Sequence, residues 1–260
     1  MPLSRMALAA LAGVALPAAL VGFGSLALAA ASPAAEAAPP FVDKFANRNP
    51  QWRVSDGWSN GPYMVNDWRA THARFSNGAL DLVLSPNRTD KAAFSSGEVQ
   101  SSQTYGYGYF ETKMRAAPGS GLVTGFFTYI GPPANKSWDE IDVEVLGGKP
   151  REVMFTYFTS GKKVSEIVQL PYDATKETHV YGFDWQPDAI RWYIDGKMMH
   201  EARGKDIPLP SQRQKIIVSL WASGTLTDWV GPFDARALPS KATFGCVSYA
   251  PTYAARQNCA

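Results

Sequence analysis

Cysteine is all but absent: 260 residues hold two, Cys246 and Cys259, both near the C-terminus. That excludes a disulfide-dense scaffold and a four-cysteine zinc site. Histidine is almost as scarce. His72, His179 and His200 show no ligand spacing with one another or with the cysteines, so neither a metal nor another cofactor is expected. Excess charge is missing too. Basic side chains number 25 and acidic ones 23, a balance that gives no support to nucleic-acid binding. Beyond the N-terminus no segment sustains a helical apolar period for three turns, so helices should be minor. No internal repeat or second composition zone divides the chain.

Long apolar runs are confined to one place. Arg5 precedes a nearly uninterrupted apolar, Ala-rich run from Met6 to Ala30. Small-residue cleavage motifs follow, Ala27-Leu28-Ala29 before Ala30 and Ala35-Glu36-Ala37 before Ala38. This pattern is that of a secretory signal peptide; a single membrane anchor is the alternative. Residues 1–37 are therefore expected to be leader and Ala/Pro-rich linker, and residues 38–260 a single domain. Secretion without stable membrane association follows. Export permits a Cys246–Cys259 bridge that would pin the last residues; two free thiols are the alternative.

What the mature part has in plenty is short alternating runs broken by Gly, Pro, Asn and Asp. Residues 79–84, 106–114, 125–130, 152–159, 180–186 and 215–221 read as strands. Ile190–Ile194 and Lys197–Glu201 flank Asp195-Gly196, a pair that favours a type I′ hairpin turn. Many short strands imply an all-β sandwich or jelly roll. Aromatic residues reach 12%, with eight Trp, and such rings suit ligands with one flat apolar face.

One strand carries chemistry. Trp138 to Gly147 reads Trp-Asp-Glu-Ile-Asp-Val-Glu-Val-Leu-Gly. Strand side chains alternate between faces, so Glu140, Asp142 and Glu144 share one face and Ile141, Val143 and Val145 the other. Three like charges on one face repel, and nothing in β-structure rewards the arrangement. Two carboxylates flanking a sugar bond are the working parts of most glycoside hydrolases, about 5–5.5 Å apart in retaining ones. Glu140 and Glu144 stand about 13 Å apart at Cα on an extended strand, so their tips converge only on a curved sheet. One Glu should stay ionised and the other be pushed up to hold a proton, with Asp142 tuning both. Spacing alone leaves a solvated strand face or a calcium loop open.

In its wider context the triplet resembles glycoside hydrolase family 16. Supporting segments are Gly97-Glu98-Val99, Tyr105 to Glu111, Gly119 to Tyr129, Phe183 to Pro187, Trp192 to Gly196 and Leu220-Trp221. Together they span roughly residues 41 to 250 in the family's order. Within the family the unbulged Glu-x-Asp-x-Glu form is similar to bacterial lichenases, exopolysaccharide glycanases and xyloglucan transglycosylases. The resemblance implies a concanavalin-like β-jelly roll of two curved antiparallel sheets and a monomer acting on a polysaccharide. It implies Glu140 as nucleophile, Asp142 as assisting acid and Glu144 as general acid/base. Sugar contacts would fall on Asn60, Glu98, Phe127, Tyr129, Trp138 and Trp221, with one or two of the four aromatics lost to core packing.

Departures from the lichenase pattern accompany the match. Gln100 replaces an arginine, Ser219 an asparagine and Phe158 a tyrosine. Asn66 and Ser96 stand where lichenases carry a disulfide. Gly245 replaces an aspartate that binds calcium, which should weaken or abolish that metal site. The activity implied is a retaining endo-β-glycanase on β-1,3-1,4-glucan or a related exopolysaccharide. A transglycosylase and an inactive sugar-binding protein are the alternatives.

Overall fold

The computed structural model describes residues 38–259; the expected leader lies outside them. The strands, in chain order, are β1 (Phe41–Asp43), β2 (Trp52–Val54), β3 (Asn66–Trp68), β4 (Ala73–Ser76), β5 (Ala79–Pro86), β6 (Phe94–Ser96) and β7 (Glu98–Ser101). Longer strands follow: β8 (Gly108–Arg115), β9 (Leu122–Ile130), β10 (Asp139–Leu146), β11 (Glu152–Thr159) and β12 (Lys162–Gln169). The rest are β13 (His179–Trp185), β14 (Ile190–Ile194), β15 (Lys197–Ala202), β16 (Lys215–Ala222) and β17 (Ser240–Ala250). Among the described residues the one α-helix, α1, is a single turn at Thr227–Val230, so the expectation of minor helices holds.

Two sheets pack face to face as a jelly roll. One has seven strands in the order β12-β11-β10-β9-β16-β7-β2. The other runs β15-β14-β13-β8-β17-β5-β6-β3, with β1 joined to β17 and β4 to β5. The sheets are not antiparallel throughout: β3 and β6 pair in parallel. Every other strand pair is antiparallel, as the sequence led one to expect. Asn66 and Ser96 sit in these two strands and bond β16 directly. The Asn66 Oδ1 accepts from Ala222 N at 2.9 Å, and the Ser96 hydroxyl donates to the Leu220 carbonyl. Side-chain hydrogen bonds to a neighbouring strand thus stand at the two positions where the resemblance implied a disulfide.

Between the sheets lies a core that alternation dictates. Ile141, Val143 and Val145 are fully buried, together with Phe126, Phe155, Phe183, Trp192 and Val218. The Trp192 ring stacks on Phe155 with centroids 5.6 Å apart, and its Nε1 donates to the Asp142 carbonyl oxygen at 3.1 Å. A core residue of the ten-stranded sheet therefore holds the middle of β10 in place. The Asp195-Gly196 hairpin turn has φ of 48° and 78°, the positive pair that type I′ requires. Cys246 and Cys259 are bridged, with Cα atoms 5.5 Å apart. The bridge brings the Cys259 amide to Glu111 Oε1 at 2.6 Å.

Candidate active site

The outward face of the seven-stranded sheet is the floor of a cleft of about 840 Å³. Register arranges its side chains in rows across the strands. Phe158, Glu140, Tyr129 and Lys215 form one row. Thr156, Asp142, Phe127, Ile217 and Gln100 form the next. Met154, Glu144, Gly125, Ser219 and Glu98 form the third. A Cβ on Gly125 would stand 3.3 Å from both the Phe127 ring and Ser219 Oγ, so glycine keeps the floor beside Glu144 open. The three acids are together on the cleft face, and their aliphatic neighbours are in the core.

Charge in this cluster is strongly perturbed. Burial pushes Glu140 up to about 7, opposed by hydrogen bonds from Trp138 and Asp142 and aided by Glu98. Burial and the Glu140 charge push Glu144 up to about 8, while Lys163 pulls it down. Asp142 is raised well above its usual range, first by burial and then by both glutamates. Its hydrogen bond to Glu140 lowers Glu140 and raises Asp142. Asp142 thus holds the shared proton and donates it to the Glu140 carboxylate. The sequence expectation was that one glutamate stays ionised while the other holds a proton. Burial raises the proton affinity of both, and two donors oppose that rise at Glu140.

Every proposed sugar contact lines the cleft. Trp138 is 39% exposed, donates through Nε1 to Glu140 Oε2 and stacks on Phe158 at 4.6 Å. Phe127, Tyr129 and Trp221 are partly exposed. One of the four also belongs in part to a core: Trp221 packs against the small buried cluster of Val123, Leu146 and Val230 while lining the cleft. Strand parity puts Phe127, Tyr129 and Trp221 on the cleft face, and α1 covers only one flank of Trp221 through Trp229, at 5.8 Å. Glu98 is buried and accepts from Ser55 Oγ at 2.6 Å and Gln100 Nε2 at 2.8 Å. Burial raises its proton affinity against those two donors. Asn60 has its Oδ1 occupied by Trp68 Nε1 at 2.7 Å and hydrogen-bonds the Tyr63 hydroxyl. It braces Tyr63 as well as facing the cleft.

Other lining residues had not been singled out: Trp58, Tyr63 and Lys215. Burial and then the charges of Glu140 and Glu98 push the Tyr63 hydroxyl up to about 12, so it remains a donor over the acids. Lys215 donates to Gln100 Oε1 at 3.3 Å. Parity would have found Lys215, since it shares a face with Ser219 and Trp221 on one strand. Trp58 and Tyr63 lie in a loop and give no periodic signal. At Gly245 no carboxylate is available, and the Lys113 side chain lies 3.8 Å from where a Cβ would stand. The residues present there do not fit the calcium of the lichenases.

A cleft floored by a glutamate–aspartate–glutamate strand and walled by aromatic rings suits a polysaccharide. Residues 60–237 match the profile of Glycosyl hydrolases family 16. The chain belongs to that family. It is 40% identical over 215 residues to a beta-glucanase of Bacillus licheniformis, covering 82% of this chain and 86% of that one. It is 38% identical over 186 residues to the endo-1,3-1,4-beta-glycanase ExoK of Rhizobium meliloti, covering 71% and 69%. A solved lichenase from a mouse hindgut metagenome superposes with a TM-score of 0.78 at 32% identity, covering 82% of this chain and 99% of that structure. This family 16 member is a glycoside hydrolase of the β-glucanase type, and its substrate is a polysaccharide.

Proposed function

We propose that the chain is a secreted, retaining endo-β-glycanase that cleaves β-1,3-1,4-glucan, or an exopolysaccharide with such links, by double displacement. The observation that carries this reading is the placement of Glu140, Asp142 and Glu144 on one face of β10, over a cleft walled by aromatic rings. Burial raises the proton affinity of all three, and hydrogen bonds from Trp138 and Asp142 oppose that rise at Glu140. On this reading Glu140 serves as the nucleophile and Glu144 gives a proton to the leaving oxygen.

In the first step Glu140 attacks the anomeric carbon and Glu144 protonates the departing sugar oxygen. Asp142 keeps Glu140 aimed by a hydrogen bond to its carboxylate, a bond that weakens as negative charge leaves Glu140. In the second step Glu144 removes a proton from water, which displaces Glu140 with a second inversion. Phe127, Tyr129, Trp138 and Trp221 supply faces for sugar rings, and Asn60 and Glu98 supply polar contacts to hydroxyls. Residues 38–260 act as one monomeric catalytic domain after loss of residues 1–37. The Cys246–Cys259 bridge suits an oxidising compartment. Among the described residues no helix is long and apolar enough to cross a membrane.

Reducing-sugar release from barley β-glucan, curdlan and xyloglucan tests the substrate. Release from barley β-glucan above the other two is the expected order. NMR of the first-formed product tests the stereochemistry: an early α-anomer would sink the retaining mechanism. Product analysis with an added oligosaccharide acceptor separates hydrolysis from transglycosylation.

A further inference from the structure

Tyr63 reaches the cleft from a turn that its own sequence builds. Gly61-Pro62-Tyr63-Met64 closes through the Met64 amide, which donates to the Gly61 carbonyl at 3.2 Å. Proline at the second position suits such a turn because its ring presets φ. A Cβ on Gly61 would stand 3.2 Å from the Tyr63 ring, so glycine lets that ring fold back over residue 61. The turn is moored to the end of β16. Ser223 Oγ donates to the Tyr63 carbonyl at 2.7 Å, and the Val65 amide donates to the Ala222 carbonyl at 3.0 Å. Tyr63 is thereby held edge-on beside Trp221, with ring centroids 5.7 Å apart and planes at 80°.

The direction of the Tyr63 hydroxyl proton follows from its neighbours. An indole Nε1 can only donate, and that of Trp68 donates to Asn60 Oδ1 at 2.7 Å. This bond fixes which end of the Asn60 amide is oxygen. The opposite, Nδ2 end bonds the Tyr63 hydroxyl. An amide nitrogen also only donates, so the phenol oxygen is the acceptor. The phenol's own proton is left for a different partner, in the cleft that Tyr63 lines together with Glu98, Glu140 and Trp221. Polar groups close by are already paired with one another. Gln100 donates to Glu98 at 2.8 Å and accepts from Lys215 at 3.3 Å. A buried donor with a preset direction, beside a partly exposed aromatic ring, is what orients a sugar hydroxyl.

We propose that the Tyr63 hydroxyl donates a hydrogen bond to a hydroxyl of the sugar unit seated against Trp221, and that Asn60 sets the direction of that donation. The inference rests on the glycanase reading above and adds a substrate-contacting residue to it. Packing against Trp221 would also account for a ring at this place; the hydroxyl separates the two roles.

Binding is read without turnover, in a Glu140→Gln background, by calorimetric titration with a β-1,3-1,4-linked glucotetraose. Tyr63→Phe keeps the ring and removes the donor. Asn60→Asp keeps the acceptor for Trp68 but turns an acceptor toward Tyr63, which draws the phenol proton away from the sugar. Each variant should raise Kd about threefold or more, the scale of one hydrogen bond. The Tm of Tyr63→Phe should stay within about 2 °C of the parent. The double variant should bind within about twofold of the weaker single variant, because both changes remove the same donation. A loss below threefold for Tyr63→Phe would overturn the proposal, and so would a larger fall in its Tm, which would assign the loss to packing. Losses that multiply in the double variant would overturn the role given to Asn60. No binding of the tetraose by the Glu140→Gln protein would overturn the proposal and the β-glucan reading together. The expected binding pattern with no reducing ends released from β-glucan by the wild-type protein would count against the hydrolytic reading alone.

Discussion

Replacing Trp138 with Phe removes one hydrogen bond from Glu140 and keeps a ring over Phe158. The indole Nε1 donates to Glu140 Oε2, and this donor is the largest of the influences that hold Glu140 down to about 7. A hydrogen bond to a charged group contributes about 1.5–3 kcal/mol. Trp138 is 39% exposed, so solvent replaces part of that contribution and the lower end applies. At about 1.4 kcal/mol per pKa unit, the Glu140 carboxyl should rise by about one unit. The nucleophile must be ionised, so a raised pKa moves the acidic limb of kcat/KM to higher pH. The alkaline limb follows Glu144, near 8, and should stay in place. The two limbs then merge, the optimum narrows and the peak falls. Near pH 6 the loss should be about tenfold beyond any change in KM. Initial rates on β-glucan across pH 5 to 10 give the profile. An acidic limb that stays within about 0.3 unit, or moves down, would refute the electrostatic role of the indole.

Glu140→Gln should abolish turnover and keep polysaccharide binding, because the nucleophile is needed only in the chemical step; more than a few per cent of the wild-type rate would contradict the assignment. Asp142→Asn should retain more activity than Asp142→Ala, since an amide can still donate to Glu140 as the protonated acid does. The expected gap is about 10-fold or more, from one charge-assisted hydrogen bond, and equal kcat values would reject the shared proton. Trp221→Ala and Tyr129→Ala should each weaken binding by about 0.5–1.5 kcal/mol beyond the lost area; a large fall in Tm would show a core role instead. Glu144→Gln should stabilise the fold at high pH. The folded-state pKa of Glu144 is raised to about 8, so the unfolded chain releases its proton first and stability falls as pH rises through that window. The variant should therefore melt about 2–4 °C higher at pH 9 and no higher at pH 4, by scanning calorimetry.

Strand periodicity is local, and local features survived well. The alternation of Glu140 to Val145 fixed which face is charged and which is buried, because side-chain direction on a strand needs no knowledge of its neighbours. Glu152–Thr159 and the Asp195-Gly196 turn were legible for the same reason. Two kinds of feature were not. The parallel pairing of β3 with β6 joins segments that carry no mark of their mutual direction. Trp58 and Tyr63 reach the cleft from a loop, where no period points the way.

The acid triplet and its one-sided arrangement were determined by sequence alone, and so was the supply of aromatic rings around it. Only the tertiary structure decided how strongly the three acids hold protons. That depends on the burial of all three, and on Trp138 and Asp142 both donating to Glu140. Burial sets the scale of these shifts, and burial is a property of the closed cleft. The same strand laid open to water would hold three ordinary carboxylates, since desolvation is the largest cause of the shift at each of the three.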